Sequence, residues 1–247
     1  MAESSTGGEA RRSDEVITEI LRRILNGRLR PGDRLPAERD LAVEFGVSRT
    51  ALREAISNLT GRGLIASRGG SGLRVTAVAP ERAHEALFLY LRDNDLDYAA
   101  IHEVREVIEV HTAGVAATRA DETTIRALRA ANEELNNSRG DVTRAIAADF
   151  EFHRLVSAIA GNEIFSLILS SLRGGLIAVR EHNLALLPAH EEACKSHEAI
   201  AEAIAAGNAD NARRHMEHHL RAVFTYWQKR SAESLDDIAA TYASPLT

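Results

Sequence analysis

The feature that most constrains the fold is a three-residue break between two short amphipathic segments near the N-terminus. Residues 36–45 and 49–59 both carry apolar side chains at helical spacing, and Gly46-Val47-Ser48 separates them. Glycine accommodates the tight turn that ends one helix, and serine is a favoured cap for the start of the next. Two short helices joined by such a turn form a helix-turn-helix.

The segments on either side of this pair extend it into a larger unit. A further amphipathic helix is predicted over residues 13–26. Short apolar stretches at 64–67 and 73–75 enclose a glycine-rich loop, and this pattern predicts a β-hairpin, the wing of a winged helix-turn-helix. The first domain is therefore expected to span residues 13–76.

The ends of that domain have a different composition. Residues 1–12 are rich in Gly, Ser and Glu and are predicted to form a disordered tail. Residues 77–82, which include Pro80, are predicted to be a linker.

Everything beyond the linker has helical periodicity and no strand pattern. We expect an all-α helical bundle over residues 83–230, followed by a C-terminal tail at 231–247. The predicted helices are 81–93, 97–119, 122–137, 141–160, 163–183, 188–206 and 208–230. The expected fold class is mainly α, with an N-terminal winged helix-turn-helix and a C-terminal all-α bundle.

Composition excludes several classes of protein. The single cysteine, Cys194, rules out an internal disulfide framework and fits a reducing cytoplasm. No run of 18 apolar residues is present and the N-terminus has no apolar segment, so neither a membrane span nor a secretory signal peptide is expected. A cytoplasmic location and no membrane partner follow as expectations.

The charge is divided unevenly along the chain. The net charge is −6, yet the first 80 residues hold 13 Arg and 10 acidic residues, whereas the remainder holds 17 Lys or Arg and 26 acidic residues. A basic head on an acidic body is the pattern expected if only the head meets phosphate.

An ordered series of motifs in the head resembles the GntR family of regulators. The series consists of Gly27-x-Leu29-x-Pro31-Gly32-Asp33-x-Leu35-Pro36-Ala37-Glu38-Arg39-x-Leu41-Ala42, then Phe45-Gly46-Val47-Ser48-Arg49-Thr50-x-Leu52-Arg53-Glu54-Ala55, then Leu59, Gly63-Leu64 and Gly70-x-Gly72-x-x-Val75. The resemblance implies binding to double-stranded DNA, with family arginines at the positions of Arg39, Arg49 and Arg53 and a wing glycine at Gly70.

The residues themselves point to the same surface. A recognition helix places its N-terminal side chains against base edges in the major groove, which here are Ser48, Arg49, Thr50 and Arg53. An arginine can bind guanine with two hydrogen bonds. The alternative is that each arginine is a solvated surface charge.

Two further expectations concern DNA. Arg39 is one helix earlier and could reach phosphate or base, and Arg68 stands beside the wing glycines, which allow the backbone to approach the minor groove. Because one recognition helix covers only a few base pairs, a homodimer on a palindromic operator is expected.

All ten histidines lie in the C-terminal part of the chain. Asp149 and His153 are four residues apart on one predicted helix and therefore face the same way. His197 is on a later helix, and the last helix carries His219 among others. A carboxylate and imidazoles that converge inside a bundle can bind a divalent metal.

This spacing resembles the metal-binding form of the FadR-type sensing domain, called FCD, over about residues 81–230. The resemblance implies Asp149, His153, His197 and His219 as ligands, with His218 pointing about 100° away from its neighbour. Zn²⁺ is the expected ion, with Ni²⁺ and Mn²⁺ as alternatives. Surface or core roles are expected for the remaining histidines, which are His84, His102, His111, His182, His190 and His215.

Arg105 is a candidate for binding an effector. It could clamp an anion with two hydrogen bonds, or it could form an intrahelical salt bridge with Glu109, and the sequence leaves both open. The expected effector is a small organic acid, such as a hydroxy acid or sugar acid, bound to the metal and Arg105. The expected function is a ligand-responsive repressor that releases DNA.

Two other functions compete with this one. The metal itself could be the signal, or the metal could serve an enzyme tethered to DNA. The enzyme is disfavoured because no separate general base stands in a recognisable motif and no Gly-x-Ser-x-Gly is present. We therefore expect no enzymatic activity.

Overall fold

The computed structural model describes residues 3–67, 72–77, 79–93 and 98–243. The chain divides into two compact units, Met1–Arg82 and Ala83–Thr247. Helices account for nearly all regular structure in the described ranges, and the small sheet belongs to the first unit. The predicted fold class, a winged helix-turn-helix followed by an all-α bundle, is confirmed.

The first unit contains three helices and a two-stranded antiparallel sheet among its described residues. Its elements are α1 (Glu3–Leu25), α2 (Glu38–Phe45), α3 (Arg49–Gly61), β1 (Ile65–Ser67) and β2 (Leu73–Val75). Apolar side chains from all of these elements pack into one core, which includes Val16, Ile20, Leu41, Leu52, Leu59, Ile65 and Val75.

The turn between α2 and α3 is built as the sequence predicts. Gly46 adopts a φ of 63° and ends α2 in the left-handed region, where side chains with a Cβ are strained. The Ser48 hydroxyl accepts a hydrogen bond from the backbone N–H of Ala51 at 3.1 Å and caps α3. Pro36 lies just before the helix rather than in it, because Ala37 is extended and acts as the N-cap.

The wing pairs Ile65 with Val75 and Ser67 with Leu73. Ile65 and Val75 are buried in the core of the first unit, which fixes the register of the hairpin. The predicted DNA-contacting residues Arg68 and Gly70 lie outside the described residues.

Helix α1 starts at Glu3, whereas the composition of residues 1–12 predicts a disordered tail. Extending an existing helix costs far less than nucleating one, and the buried turns around Val16 and Ile20 supply the nucleus. The Glu9 carboxylate also accepts a hydrogen bond from the Ser48 hydroxyl at 2.9 Å, which holds the early turns against α3.

The second unit is helical throughout its described residues. Its helices are α4 (Pro80–Asp93, whose first three residues fall in the first unit), α5 (Tyr98–Arg119), α6 (Glu122–Asn137), α7 (Val142–Ala160), α8 (Glu163–Ser171), α9 (Arg173–Ala185), α10 (Leu187–Ala205) and α11 (Ala209–Ala243). Helix α4 begins within the stretch predicted as linker, with Pro80 as its first residue. Helix α11 continues into the stretch predicted as a tail.

Three helices of the second unit begin with a side-chain cap. Asp141 accepts from the Arg144 N–H at 3.1 Å, Asn162 from Ile164 at 3.0 Å, and Asn208 from Asn211 at 3.0 Å. Each side chain satisfies a backbone donor that the first turn leaves unpaired.

The helix predicted over residues 163–183 is divided in two at Leu172. Two glycines follow the break, and glycine is a poor helix former. A Cβ added at Gly175 would lie 2.6 Å from the Ile101 Cδ1 atom, so this glycine permits close packing of α9 against α5.

Helices α5, α6, α7, α10 and α11 enclose the main core of the second unit. This core contains small and large apolar side chains, namely Ala113, Ala116, Leu128, Phe152, Val156, Ile200, Ile204, Met216 and Leu220. The alanines of α5 let its neighbours approach closely. Across the part of the chain that the structure describes, no helix is both long and apolar enough to cross a membrane.

Two glycine substitutions should change the stability of the first unit in opposite directions. Gly46→Ala should cost about 1–2 kcal/mol, because a Cβ is strained at a positive φ even with open space around it. Gly61→Ala should stabilise by up to about 1 kcal/mol, because Gly61 is helical and also faces open space. Hydrogen exchange of amides in α2 and α3 measures the stability change in each variant. Equal changes in the two variants would contradict this prediction.

Candidate metal centre and DNA-contacting surface

The arginines predicted to contact DNA lie exposed around the turn of the helix-turn-helix. The side chains of Arg39 and Arg53 are 79% and 77% exposed, and Arg49 is exposed as well. These three arginines, with Glu38 and Leu52, line one surface depression formed by α2 and α3. The sequence spacing thus places three guanidinium groups on a single face of the first unit.

Acidic neighbours hold two of these arginines in place. The Arg53 Nε atom lies 3.1 Å from a Glu38 carboxylate oxygen, and the Arg39 Nε atom lies 3.5 Å from Asp40. Exposed pairs of this kind contribute little to stability, about 0–1 kcal/mol, so they can be exchanged for other partners at low cost. Ser48 and Thr50 are exposed at the start of α3 beside them.

Inside the second unit, the four predicted metal ligands converge into one buried cluster. Asp149 and His153 come from α7, His197 from α10 and His219 from α11. Each side chain is at most 7% exposed, and one donor atom from each lies within 4.8 Å of all the others. Ligand atoms lie about 2.0–2.2 Å from a zinc ion and hence at most about 4.4 Å from one another, so the cluster is only slightly wider than a metal site.

The inner atoms of the cluster face one another. The Nε2 atoms of His153 and His219 are 3.3 Å apart, and the Nε2 atom of His197 lies 3.6 Å from an Asp149 oxygen. The His153 Nε2 atom lies 3.9 Å from the other Asp149 oxygen. These four side chains therefore direct three imidazole nitrogens and a carboxylate toward a common centre.

Three of these side chains are also held by neighbours outside the cluster. The Nδ1 atom of His219 lies 2.7 Å from the Ser196 hydroxyl. The Nδ1 atom of His153 contacts Glu109, and Asp149 accepts a hydrogen bond from the Arg180 Nε–H. Such outer contacts orient the inner atoms of metal ligands.

Burial and neighbouring charge set the protonation states that metal ligation needs. Burial lowers the pKa of His197 to about 3 and also lowers the pKa of His219 well below its usual range. Burial alone would raise the pKa of Asp149, but the charges of Arg180 and His153 outweigh it and lower that pKa. Neutral imidazoles and an ionised carboxylate are the forms that bind metal.

His197 supplies the most direct sign that the cluster fits a metal ion. Its ring is fully buried and stacks on Phe152, with ring centroids 3.9 Å apart and an angle of 6° between the planes. Within the described residues, neither of its ring nitrogens has a hydrogen-bond partner. A buried imidazole without a partner is costly, and a metal ion bound to its Nε2 atom would give that nitrogen a partner.

Arg105 forms the intrahelical salt bridge with Glu109, which the sequence left open as the alternative to binding an anion. Its Nε atom donates to the Glu109 Oε1 atom at 2.6 Å, and both side chains are at most 4% exposed. Burial alone would raise the pKa of Glu109, but Arg105 and His153 lower it, so the carboxylate is ionised. The salt bridge does not remove Arg105 from the site, because its side chain also lines the two cavities beside the cluster.

Several contacts of the site are not predictable from the sequence. Arg180 contacts Asp149 across 31 positions, and Ser196 contacts His219 across 23, so no local spacing reveals either pair. The sequence suggests Glu109 only as a partner for Arg105, although Glu109 also contacts His153. His218 points outward, 70% exposed and 3.6 Å from Glu192, as helical geometry predicts for a neighbour of a buried residue.

Each of the two units matches a known protein family. The model of bacterial regulatory proteins of the gntR family matches residues 12–75, and the FCD domain model matches residues 100–222. A solved structure described as Streptococcus agalactiae GntR shares the fold, with a TM-score of 0.54 and 21% identity over 85% of this chain and 98% of that one.

Relatives with higher identity are also regulators. A protein of Escherichia coli (strain K12), named for regulation of the L-lactate dehydrogenase operon, is 33% identical over 87% of this chain and 86% of its own length. LutR of Bacillus subtilis (strain 168) is 30% identical over 81% and 94%, respectively. The repressor NanR of Cronobacter sakazakii is 30% identical over 88% and 86%.

A winged helix-turn-helix joined to a helical unit with a buried polar cluster defines a ligand-responsive, DNA-binding transcription regulator. The chain belongs to the GntR family and carries an FCD domain as its sensing unit. It is a regulator and not an enzyme, in agreement with the sequence analysis.

Neutralising Glu109 should destabilise the second unit. Glu109→Gln would leave Arg105 buried without an ionised partner, which typically costs about 3–5 kcal/mol. Glu106→Gln on the same helix removes only an outer pair, 3.3 Å from Arg221, and should cost at most about 1 kcal/mol. Chemical denaturation followed through Trp227 fluorescence compares the two variants, and similar midpoints would refute the buried network.

Proposed function

We propose that this protein is a repressor whose FCD domain holds a divalent metal ion and that a small organic acid bound there releases it from DNA. The observation that carries the proposal is the buried convergence of Asp149, His153, His197 and His219 beside cavities lined by arginine. The donor set supports a metal, and the arginines support an anion.

The metal would be held by the three inner imidazole nitrogens and the Asp149 carboxylate. Imidazole is a preferred ligand of Zn²⁺, and Ni²⁺ and Mn²⁺ are the alternatives. When bound, such an ion would offer open coordination positions to a carboxylate or hydroxyl. Ser196, Glu109 and Arg180 would orient the ligands from outside.

The effector would be a hydroxy acid or a sugar acid, with Arg105 and the metal receiving its carboxylate. The name of the Escherichia coli relative refers to L-lactate, which is a hydroxy acid. The second of the two cavities measures about 240 Å³, below the roughly 300–1,000 Å³ of pockets for drug-sized ligands. A long acyl chain would exceed that space, whereas a short acid would not.

On the DNA side, Arg49 and Arg53 would bind guanine edges in the major groove, flanked by Ser48 and Thr50. Arg39 would contact phosphate or base from α2. The chain would act as a homodimer in the cytoplasm and bind a palindromic operator, because each half-site needs one recognition helix. The exposed guanidinium groups of α2 and α3 support this assignment.

The effector acts only if it binds the DNA-releasing arrangement more tightly than the DNA-binding one. Coupling of about 1–3 kcal/mol, which is 5- to 150-fold in operator affinity, is the usual range for such systems. Operator duplexes selected from a randomised pool by the full chain supply the probe. Their affinity should fall when a hydroxy acid is added to zinc-loaded protein.

The same titration separates this function from a metal-responsive regulator. The almost complete burial of the cluster is the observation that favours the metal as the signal. In that case Zn²⁺ alone would change operator affinity, and organic acids would add nothing. Unchanged affinity under both additions would refute the two functions together.

Arg49→Ala should weaken binding to the selected operator roughly 5- to 150-fold, because one bidentate arginine–guanine contact is worth about 1–3 kcal/mol. Binding to random duplexes should change far less. Arg126→Ala removes an exposed arginine from the second unit and serves as the matched control, with operator affinity preserved. Equal operator affinity for the two variants would remove Arg49 from the interface.

His153→Ala should abolish stoichiometric zinc binding, because it deletes one of four ligands and the contact with Glu109. His218→Ala is the matched control, since His218 is 70% exposed and points away from the cluster. Elemental analysis of purified full-length protein measures both. Full zinc retention in His153→Ala would eliminate the proposed ligand set.

A further inference from the structure

The hydroxyl of Ser48, at the start of α3, makes two hydrogen bonds within the first unit. It accepts from the Ala51 N–H at 3.1 Å and donates to a Glu9 carboxylate oxygen at 2.9 Å. A serine hydroxyl carries a single proton, so a proton that is donated to Glu9 is not available to another acceptor. Ser48 is exposed on the surface proposed to meet DNA. That surface therefore has one of its donors already committed to a carboxylate.

The arginines of the same surface are paired differently. The Arg39 Nε atom lies 3.5 Å from Asp40, and the Arg53 Nε atom lies 3.1 Å from Glu38. A guanidinium group has five N–H donors, so one contact with a carboxylate leaves the other donors free for phosphate or base. Ser48 has no such reserve, and any other acceptor must first displace the carboxylate that holds its proton.

Glu9 belongs to a part of the chain that precedes the segment matched by the gntR family. It stands 39 positions before Ser48, on α1, and the family match begins at residue 12. Residues 4–8 before it are serine, threonine and glycine, which are poorer helix formers than alanine. Glu9 is exposed, so moving it away from α3 uncovers no core and breaks the hydrogen bond to Ser48. The contact can therefore open at low cost.

We propose that Glu9 is an autoinhibitory residue: in the free protein its carboxylate occupies the position that a DNA phosphate takes at Ser48, and duplex DNA binds only after displacing it. The inference rests on the proposed DNA surface of α2 and α3 and adds a competitor to it. Serine hydroxyls are common donors to phosphate in protein–DNA interfaces, and carboxylate and phosphate oxygens are both anionic acceptors. One proton serves either anion, but not both.

Charge adds to the competition for the proton. Duplex DNA carries one negative charge about every 1.7 Å along its axis, so a carboxylate that stays at the interface is repelled by phosphate. Contacts with phosphate carry no information about base sequence. Glu9 should therefore weaken binding to the operator and to random duplexes by the same factor, and that factor should shrink as salt screens the repulsion.

Glu9→Gln tests the inference, because glutamine keeps the length and one acceptor oxygen of glutamate and removes the charge. In about 50 mM salt, the full-length variant should bind the selected operator and a random duplex at least about threefold more tightly than the unsubstituted protein does. This gain should fall toward unity in about 200 mM salt, because screening weakens the repulsion that the variant lacks. Fluorescence anisotropy of labelled duplexes measures these affinities.

Glu15→Gln is the matched control. Glu15 lies on the same helix, its side chain is 66% exposed, and its carboxylate pairs with Arg11 at 3.7 Å. The substitution makes the same change in net charge, so it separates the position of the carboxylate from the total charge of the protein. Both DNA affinities of Glu15→Gln should equal those of the unsubstituted protein.

Three results would overturn the inference. Equal gains in Glu9→Gln and Glu15→Gln would mean that only net charge matters. Unchanged or weaker DNA binding in Glu9→Gln would show that the carboxylate does not compete with phosphate. A loss of preference for cytosine at one operator position would make Glu9 a base-reading residue instead, because carboxylates accept from the cytosine amino group.

Failure of the proposed DNA surface has a separate signature. If Arg49→Ala weakens operator binding and Glu9→Gln changes nothing, the surface stands and the autoinhibitory role of Glu9 is wrong. If Arg49→Ala keeps full operator affinity, the proposed surface is wrong, and the inference is overturned with it.

Discussion

The sensing unit depends on one buried network of charge. Arg105 pairs with Glu109, Glu109 contacts His153, and Arg180 pairs with Asp149, all at most 7% exposed. Ions removed from water cost several kcal/mol each unless they are paired with good geometry. Each member of the network is therefore tied to the next, and the helices that carry them, α5, α7 and α9, must pack in one arrangement.

That constraint explains why the cluster of Asp149 and three histidines is preorganised. The charged network places Asp149 and His153 before any ligand arrives, and Ser196 does the same for His219. The conformational entropy of these side chains is therefore lost when the protein folds and not when a ligand binds. Arg105 and Arg180 of this network also line the cavity next to the cluster, so the same interactions hold the cluster and shape that cavity.

The first unit arranges its charged side chains differently. Its arginines are exposed and only loosely paired, and their position derives from the short turn at Gly46 and the cap at Ser48. A surface meant to meet phosphate and base edges must keep its charges solvated and available. The contrast between buried, paired charges in one unit and exposed, exchangeable charges in the other matches their separate tasks.

The sequence by itself determined the features that depend on neighbours along the chain. The turn at Gly46, the caps at Ser48, Asp141, Asn162 and Asn208, and the shared face of Asp149 and His153 are all local, so spacing and residue type suffice. Resemblance to a known domain added His197 and His219, which no local rule connects.

Tertiary structure decided the rest. The contact of Arg180 with Asp149, the double role of Glu109, the packing of Gly175 against Ile101 and the cavity beside the cluster all join positions far apart in the chain. Long-range packing brings such groups together. The order of residues along the chain does not show which distant helices share a core.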